Sequence, residues 1–183
     1  MVAGSAAAPG ELELVRAFVN TLDVESGEDE LATPAALAEW LVAHGLLEAK
    51  AYARRVDLER ALAVREALRS LLVANNGGRA DTDAAAVLDA AARTARLALR
   101  FRPDGAAALE PEAGGAPGAL GRLLAVVAAS MATGTWGRLK ACQAESCRWA
   151  FYDHARNRSR TWCSMAVCGN RTKARAYRAR RAS

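Results

Sequence analysis

Apolar positions recur three and four residues apart through most of the first 135 residues, the spacing of helices that bury one face. Val15, Phe18, Val19 and Leu22 follow i, i+3, i+4, i+7, which predicts a helix from about Glu11. Thr33-Pro34 joins a capping hydroxyl to a proline suited to a first turn, so a second helix starts there, with Leu37, Trp40 and Leu41 as its stripe and Gly45 as its end. Asp57 reads as the cap of a third helix in which Leu58, Leu62, Leu68, Leu71 and Leu72 face inward, stopping at Asn75-Asn76-Gly77-Gly78. A shorter fourth helix carries Val87 and Leu88. The period then changes to two: Leu97, Leu99 and Phe101 alternate with Arg96, Ala98, Arg100 and Arg102, which predicts a half-buried strand. Pro103-Asp104-Gly105 turns the chain, and Ala106 to Leu109 return as a second strand.

Pro111 to Gly118 read as a loop, and Leu120, Leu123, Leu124, Val127 and Met131 mark a last amphipathic helix that ends near Gly134. The expected class is therefore mainly α (α+β). It comprises a disordered tail over 1–10, a helical domain with one β-hairpin over 11–135, and a small module over 136–183. This last module is expected to be treble-clef-like or ribbon-like and to finish in a basic helix, with Asn170 as cap and Arg171 to Arg181 as its body.

The four cysteines all fall in that module, as Cys142-x4-Cys147, fifteen intervening residues, and Cys163-x4-Cys168. Two close pairs can each offer two thiolates from one turn and complete a tetrahedron, the pattern of a structural zinc site with no open position. Two disulfides are the competing reading and require an oxidising compartment. The start of the chain shows neither a basic segment nor a signal-peptide core, and no uninterrupted apolar run is long enough to cross a bilayer, so the chain reads as cytoplasmic with no membrane partner. That favours one zinc ion over disulfides.

Charge divides the chain as the cysteines do. From Trp136 onward there are 12 Lys or Arg against Glu145 and Asp153, leaving 13 basic and 18 acidic residues before Trp136. An acidic body with a basic end points to a polyanionic partner, nucleic acid first; a solvated, highly charged end is the bland alternative. Arg171, Arg175 and Arg178 fall on one stripe of the last helix, with Lys173 on another side, and Arg156, Arg158 and Arg160 form a second strip between the cysteine pairs. With Asn170, these are the candidate nucleic-acid contacts. Ala174 and Tyr177 share a different side of that helix and could anchor it to the rest of the module. Six of the ten aromatic residues also lie from Trp136 onward, most of them needed as core in so small a module, with Tyr152 and Tyr177 as candidates for base stacking. His154 reads as a bystander or a phosphate contact. The body offers no phosphate loop, nucleophile elbow or HExxH pattern, and so no catalytic residues. Its run Glu28, Asp29 and Glu30 reads as solvated, and His44 as a residue interacting with a helix end. Leucine-rich helices beside a hairpin could enclose a cavity for a small apolar ligand.

The run Cys163 to Arg171, with Cys168-Gly169-Asn170-Arg171 at its end, resembles the CGNR zinc-finger family, as do Phe151-Tyr152-Asp153 and Arg156-Asn157-Arg158-Ser159-Arg160 before it. Phe18-Val19-Asn20-Thr21 and Leu31-x-x-Pro34-x-x-Leu37-x-x-Trp40-Leu41 look like the ABATE domain that precedes such fingers. The resemblance implies a bacterial cytoplasmic regulator of transcription, often stress-related, whose finger binds DNA. By matching position, Cys142, Cys147, Cys163 and Cys168 would hold zinc. Arg148-Trp149, after the second cysteine, departs from the glycine that the resemblance implies near there. The expected function is a zinc-dependent DNA-binding regulator with the body as sensor or dimerisation unit. The alternative is a zinc-stabilised module that docks a protein, or an RNA binder.

Overall fold

A computed structural model describes residues 6–79 and 81–182. Five helices form the body: α1 (Leu12–Val19), α2 (Pro34–Ala43), α3 (Arg55–Asn75), α4 (Ala84–Ala95) and α5 (Gly115–Ala132). A hairpin of β1 (Leu97–Phe101) and β2 (Ala107–Pro111) joins α4 to α5. Beyond a 3-10 turn at Trp136–Arg138 come a second ribbon, β3 (Leu139–Ala141) and β4 (Ala150–Tyr152), a π-turn at Met165–Gly169 and α6 (Asn170–Ala182). The mainly α (α+β) class is the observed one. Residues 1–5 of the expected tail lie outside the described residues; just after them Ala8 is buried, and its N–H donates to Glu13 at 2.7 Å.

Local chemistry explains the helix ends. Thr33 Oγ1 accepts from Ala36 N at 3.1 Å, with Pro34 in the first turn of α2. Asp57, expected as the cap of α3, is instead in the first turn. Arg54 holds the N-cap position, and its backbone N–H donates to the Asp57 carboxylate at 2.9 Å, so Asp57 caps from within the helix. Leu68 and Leu72 are fully buried, Leu58, Leu62 and Leu71 half-buried. In α4 the buried positions are Ala84, Ala91 and Ala95, with Val87 and Leu88 only half-buried. These alanines let α4 approach α5 closely: a Cβ on Gly121 would lie 2.6 Å from Ala95 Cβ and 2.9 Å from Pro111 Cβ.

The expected hairpin is present, with Leu99 opposite Leu109 and its second strand running on to Pro111, but its apolar face is not half-buried as the alternation predicted. Leu97 is half-buried, whereas Leu99 is 55% and Phe101 77% exposed, so burial on this face fades toward the turn. The other face is closed by Arg100–Glu112 and Arg102–Glu110 ion pairs. The composition of 111–118 predicts a loop throughout, yet α5 already starts at Gly115: Pro117 falls in its first turn, where a missing N–H costs nothing. By length and composition α5 could cross a membrane, but half of it is buried. It packs on α1, α2, α3, α4 and β2 as the central helix of the body.

Period-two alternation in the second ribbon gives it two different faces. Leu139, Ala141, Ala150 and Tyr152 belong to the core of the body, while Phe151 packs with the four cysteines. The ribbon is thus a wall shared by the helical body and the cysteine cluster. Tyr152 is 6% exposed, which removes it as a base-stacking residue.

Candidate metal centre and basic surface

Cys142 closes the second ribbon, its N–H donating to Trp149 O at 2.9 Å. Cys147 follows a tight turn in which its own N–H and that of Arg148 donate to Ala144 O at 2.9 and 3.0 Å. Arg148 has φ of 50°, the left-handed region that favours glycine. The turn therefore makes a backbone demand that glycine meets most easily, and this chain meets it with an arginine whose carbonyl accepts from Arg69 at 3.1 Å. Cys163 and Cys168 bracket Ser164, which starts the π-turn: its Oγ accepts from Val167 N at 3.3 Å and its carbonyl from Cys168 N at 2.9 Å.

All four thiols are buried, and their sulfurs lie within 4.8 Å of one another. Cys147–Cys163 and Cys163–Cys168 sulfurs are 3.6 and 3.7 Å apart. Four sulfurs at about 2.3 Å from one tetrahedral zinc lie about 3.8 Å from each other, whereas a disulfide needs about 2.05 Å. The cluster therefore fits one closed zinc site with four thiolate ligands. Without a cation the sulfurs cannot all ionise. Hydrogen bonds from Cys147 and Cys163 lower the Cys142 thiol to about 2. Cys147 is pushed up to about 12, chiefly by its hydrogen bond to Cys142. Cys163 goes up through its bonds to Cys142 and Cys147, and Cys168 through burial and the Cys142 charge. A bound dication reverses this order and holds all four as thiolates. Phe151, Trp149, Trp162 and Ala144 close the apolar shell.

The loop between the cysteine pairs is held by a buried ion pair that no sequence motif announces. Lys140 Nζ donates to Asp153 Oδ2 at 2.8 Å, to Arg158 O at 2.6 Å and to Arg160 O at 3.1 Å. Asp153, fully buried, also accepts from the N–H groups of Ala155 and Arg160 at 3.0 and 2.9 Å. Burial raises the Asp153 carboxyl, but Lys140 and the two N–H donors outweigh it and hold it below its ordinary value. A lone lysine between Leu139 and Ala141, and an acid in so basic a module, were the available signals.

The body grips the ribbon and its flanks through side-chain amides. Asn20 donates to Ala150 O at 2.9 Å and accepts from Ala150 N at 2.7 Å. Asn76 donates to Ala141 O and Thr161 O at 2.8 and 2.7 Å, and Asn75 to Trp136 O and Leu139 O at 3.0 and 2.9 Å. In the sequence these asparagines read only as part of a family motif and as a helix stop.

The candidate nucleic-acid residues differ in what they meet. Arg156, Arg158, Lys173 and Arg175 are exposed, with no side-chain partner among the described residues. Arg178, also exposed, donates only to Ala174 O on its own helix at 3.3 Å. Arg160 is committed inward: it donates to Trp162 O at 2.9 Å and to Cys163 O, and its guanidinium lies 5.0 Å from the Phe151 ring centre. Asn170 is not a cap, because the π-turn runs unbroken into α6; its amide donates to Ala166 O at 3.2 Å. Arg171 pairs with Glu25 of the body. Ala174 and Tyr177, expected as anchors for α6, are exposed, and α6 packs chiefly on the π-turn. His154 Nε2 meets Ala7 O at 2.9 Å.

Fold and site together define a zinc-finger protein whose finger is built onto a helical body. Residues 138–181 match the CGNR zinc finger, and residues 12–134 match the ABATE family, described as "Putative stress-induced transcription regulator". The chain belongs to the ABATE family and carries a CGNR zinc finger at its C-terminal end. Neither is an enzyme family. No curated protein matches it.

Proposed function

We propose that the protein is a cytoplasmic regulator of transcription, of the stress-related kind the family description names, that binds double-stranded DNA through the finger. The observation that carries this reading is α6: six Lys or Arg, no acid, and every described residue exposed or half-buried. Zinc fixes the start of that helix relative to the loop bearing Arg156 and Arg158. A rigid knuckle, a cationic helix and a cationic loop suit contact with phosphates along one duplex face. If about four phosphates are neutralised, log affinity falls with log salt at a slope of about −3.6. Mobility-shift titration of the zinc-loaded protein across salt concentrations tests this; absence of binding to any duplex at low salt overturns it.

The body serves as sensor or dimerisation unit. An open groove of about 780 Å³, where Leu14, Leu46, Leu99, Leu109 and Val126 are joined by Glu11, Arg102, Glu110 and Arg122, is the place where a small ligand with an apolar part would sit. The uncovered Leu99 and Phe101 face supports pairing with a second copy. Thermal-shift screening and sedimentation test the two in turn, no ligand stabilisation and a strict monomer being the adverse results.

A second reading, a clasp whose arginines meet acidic protein surfaces, is favoured by the Arg171–Glu25 contact. Exchanging Arg171, Arg175 and Arg178 for Glu separates the two. A DNA reader loses duplex affinity and keeps its fold, whereas a clasp loses a partner or stability.

A further inference from the structure

Arg171, in the signature run, is half-buried, whereas the other described side chains of α6 are exposed. It is covered from the body, by the loop that follows α1. That loop, 23–30, holds Asp23, Glu25, Glu28, Asp29 and Glu30 and no base; Glu28 and Glu30 are exposed, as the solvated reading has it, but Asp29 is half-buried in an ion pair and the backbone is ordered by its own hydrogen bonds. Leu22 and Asp29 bridge across it, Asp23 N donates to Glu28 O at 2.9 Å, and Asp23 Oδ1 accepts from Glu25 N and Ser26 N at 2.9 and 3.2 Å. Arg65 of α3 clamps its far end, donating to both Asp29 oxygens at 2.7 and 2.9 Å. Arg69, one turn on, donates to Val19 O at 2.6 Å at the loop's base and to Arg148 O at 3.1 Å in the finger. One helix therefore supports both the loop that presents Glu25 and the turn beside the zinc site. The carboxylate of Glu25 meets the guanidinium of Arg171 between two elements fixed to a common base.

We propose that this acidic loop is an intramolecular competitor for the finger, in which Glu25 occupies Arg171 as a phosphate would and must be displaced when a nucleic acid binds. The inference rests on the reading of the finger as a nucleic-acid binder and adds a regulation to it. A carboxylate accepts from a guanidinium as a phosphate does, so the two compete for the same donors. The remaining cations, Arg156, Arg158, Lys173 and Arg175, have no such partner among the described residues and stay available to make first contact. A polyanion that engages them raises the local phosphate concentration at Arg171, and the arginine then changes partner. A half-exposed pair is weak, so the latch tunes affinity rather than blocking it.

The test uses the full zinc-loaded chain and a short random-sequence duplex, with affinity read by fluorescence anisotropy. Glu25→Gln is expected to bind about two- to five-fold tighter than wild type at about 0.05 M salt, with the gap closing by about 0.5 M as screening dissolves the latch. Glu28→Gln removes the same charge from the same loop without touching Arg171 and is expected to change little. In an Arg171→Gln background, Glu25→Gln is expected to have no effect. Equal affinities for Glu25→Gln and wild type, an equal gain from Glu28→Gln, or a gain that persists without Arg171 would each overturn the latch. If no form binds a duplex, the proposed function fails and the latch is judged on the free protein. Faster hydrogen exchange in the first turn of α6 in Glu25→Gln supports it, and unchanged exchange overturns it.

Discussion

The body and the finger bury their interiors by different means. In the body, Phe18, Leu31, Leu37, Leu41, Leu68, Leu72, Leu120 and Leu123 are almost fully enclosed, and burying each such side chain contributes about 1.5–3 kcal/mol. In the finger the corresponding cluster is four cysteines and Phe151, with Ala144, Trp149 and Trp162 packed around it. So few side chains cannot hold a fold alone; coordination does most of that work, and structural zinc sites contribute about 10–16 kcal/mol. The lesson lies in the boundary. The second ribbon turns Leu139, Ala141, Ala150 and Tyr152 toward the hydrophobic interior and Phe151 toward the metal cluster, so the two stabilising devices share one wall.

Metal removal gives the largest expected effect. Chelation, or Cys163→Ser, removes what orders one side of that wall, and the body loses the packing of the other side with it. The melting temperature of the whole chain is expected to fall by at least about 10 °C. Calorimetry that finds the body melting at an unchanged temperature would show that the finger is a separable appendage.

Lys140→Met comes next. It leaves the Asp153 carboxylate buried without its cation, at a cost of about 3–5 kcal/mol, and Lys140→Met/Asp153→Asn is expected to recover part of it. Because the folded Asp153 carboxyl sits below its ordinary value, its contribution is present at neutral pH and is lost as pH falls through the folded value, in the range below about 4. Urea titration at several pH values reads both effects; a double variant no more stable than Lys140→Met would rule out a charge left unpaired as the cause.

Asn20→Ala is expected to cost about 1–3 kcal/mol, since it strands both the N–H and the carbonyl of Ala150 in a buried seam. The same range applies to Asn76→Ala. Changes below about 0.5 kcal/mol in denaturant unfolding would mean the seam is held by apolar packing alone.

The smallest effect is expected on the hairpin. Leu99→Ser and Phe101→Ser alter exposed positions and should shift stability by no more than about 0.5 kcal/mol. A much larger loss, seen together with a drop in sedimentation coefficient, would show that this face is covered by a second copy in solution.

What the sequence determined by itself is the chemistry that acts over short chain distances. Cysteine spacing favoured one closed metal site because each close pair can offer two thiolates from one turn. Thr33-Pro34 announced a helix start because hydroxyl and proline act on their own backbone. Pro103-Asp104-Gly105 placed a hairpin because only certain residues tolerate that turn. Tertiary structure decided everything that depends on what faces a side chain from elsewhere. It alone set Arg160 over the Phe151 ring while leaving Arg156 and Arg158 exposed, buried Tyr152, left Phe101 in solvent, and made Asn20, Asn75 and Asn76 into a seam. It also set Glu25 against Arg171, 146 residues apart along the chain. Periodicity tells a residue which face of its own element it occupies, but hydrogen bonds and ion pairs across a fold are set by where the elements pack, and no local pattern records that.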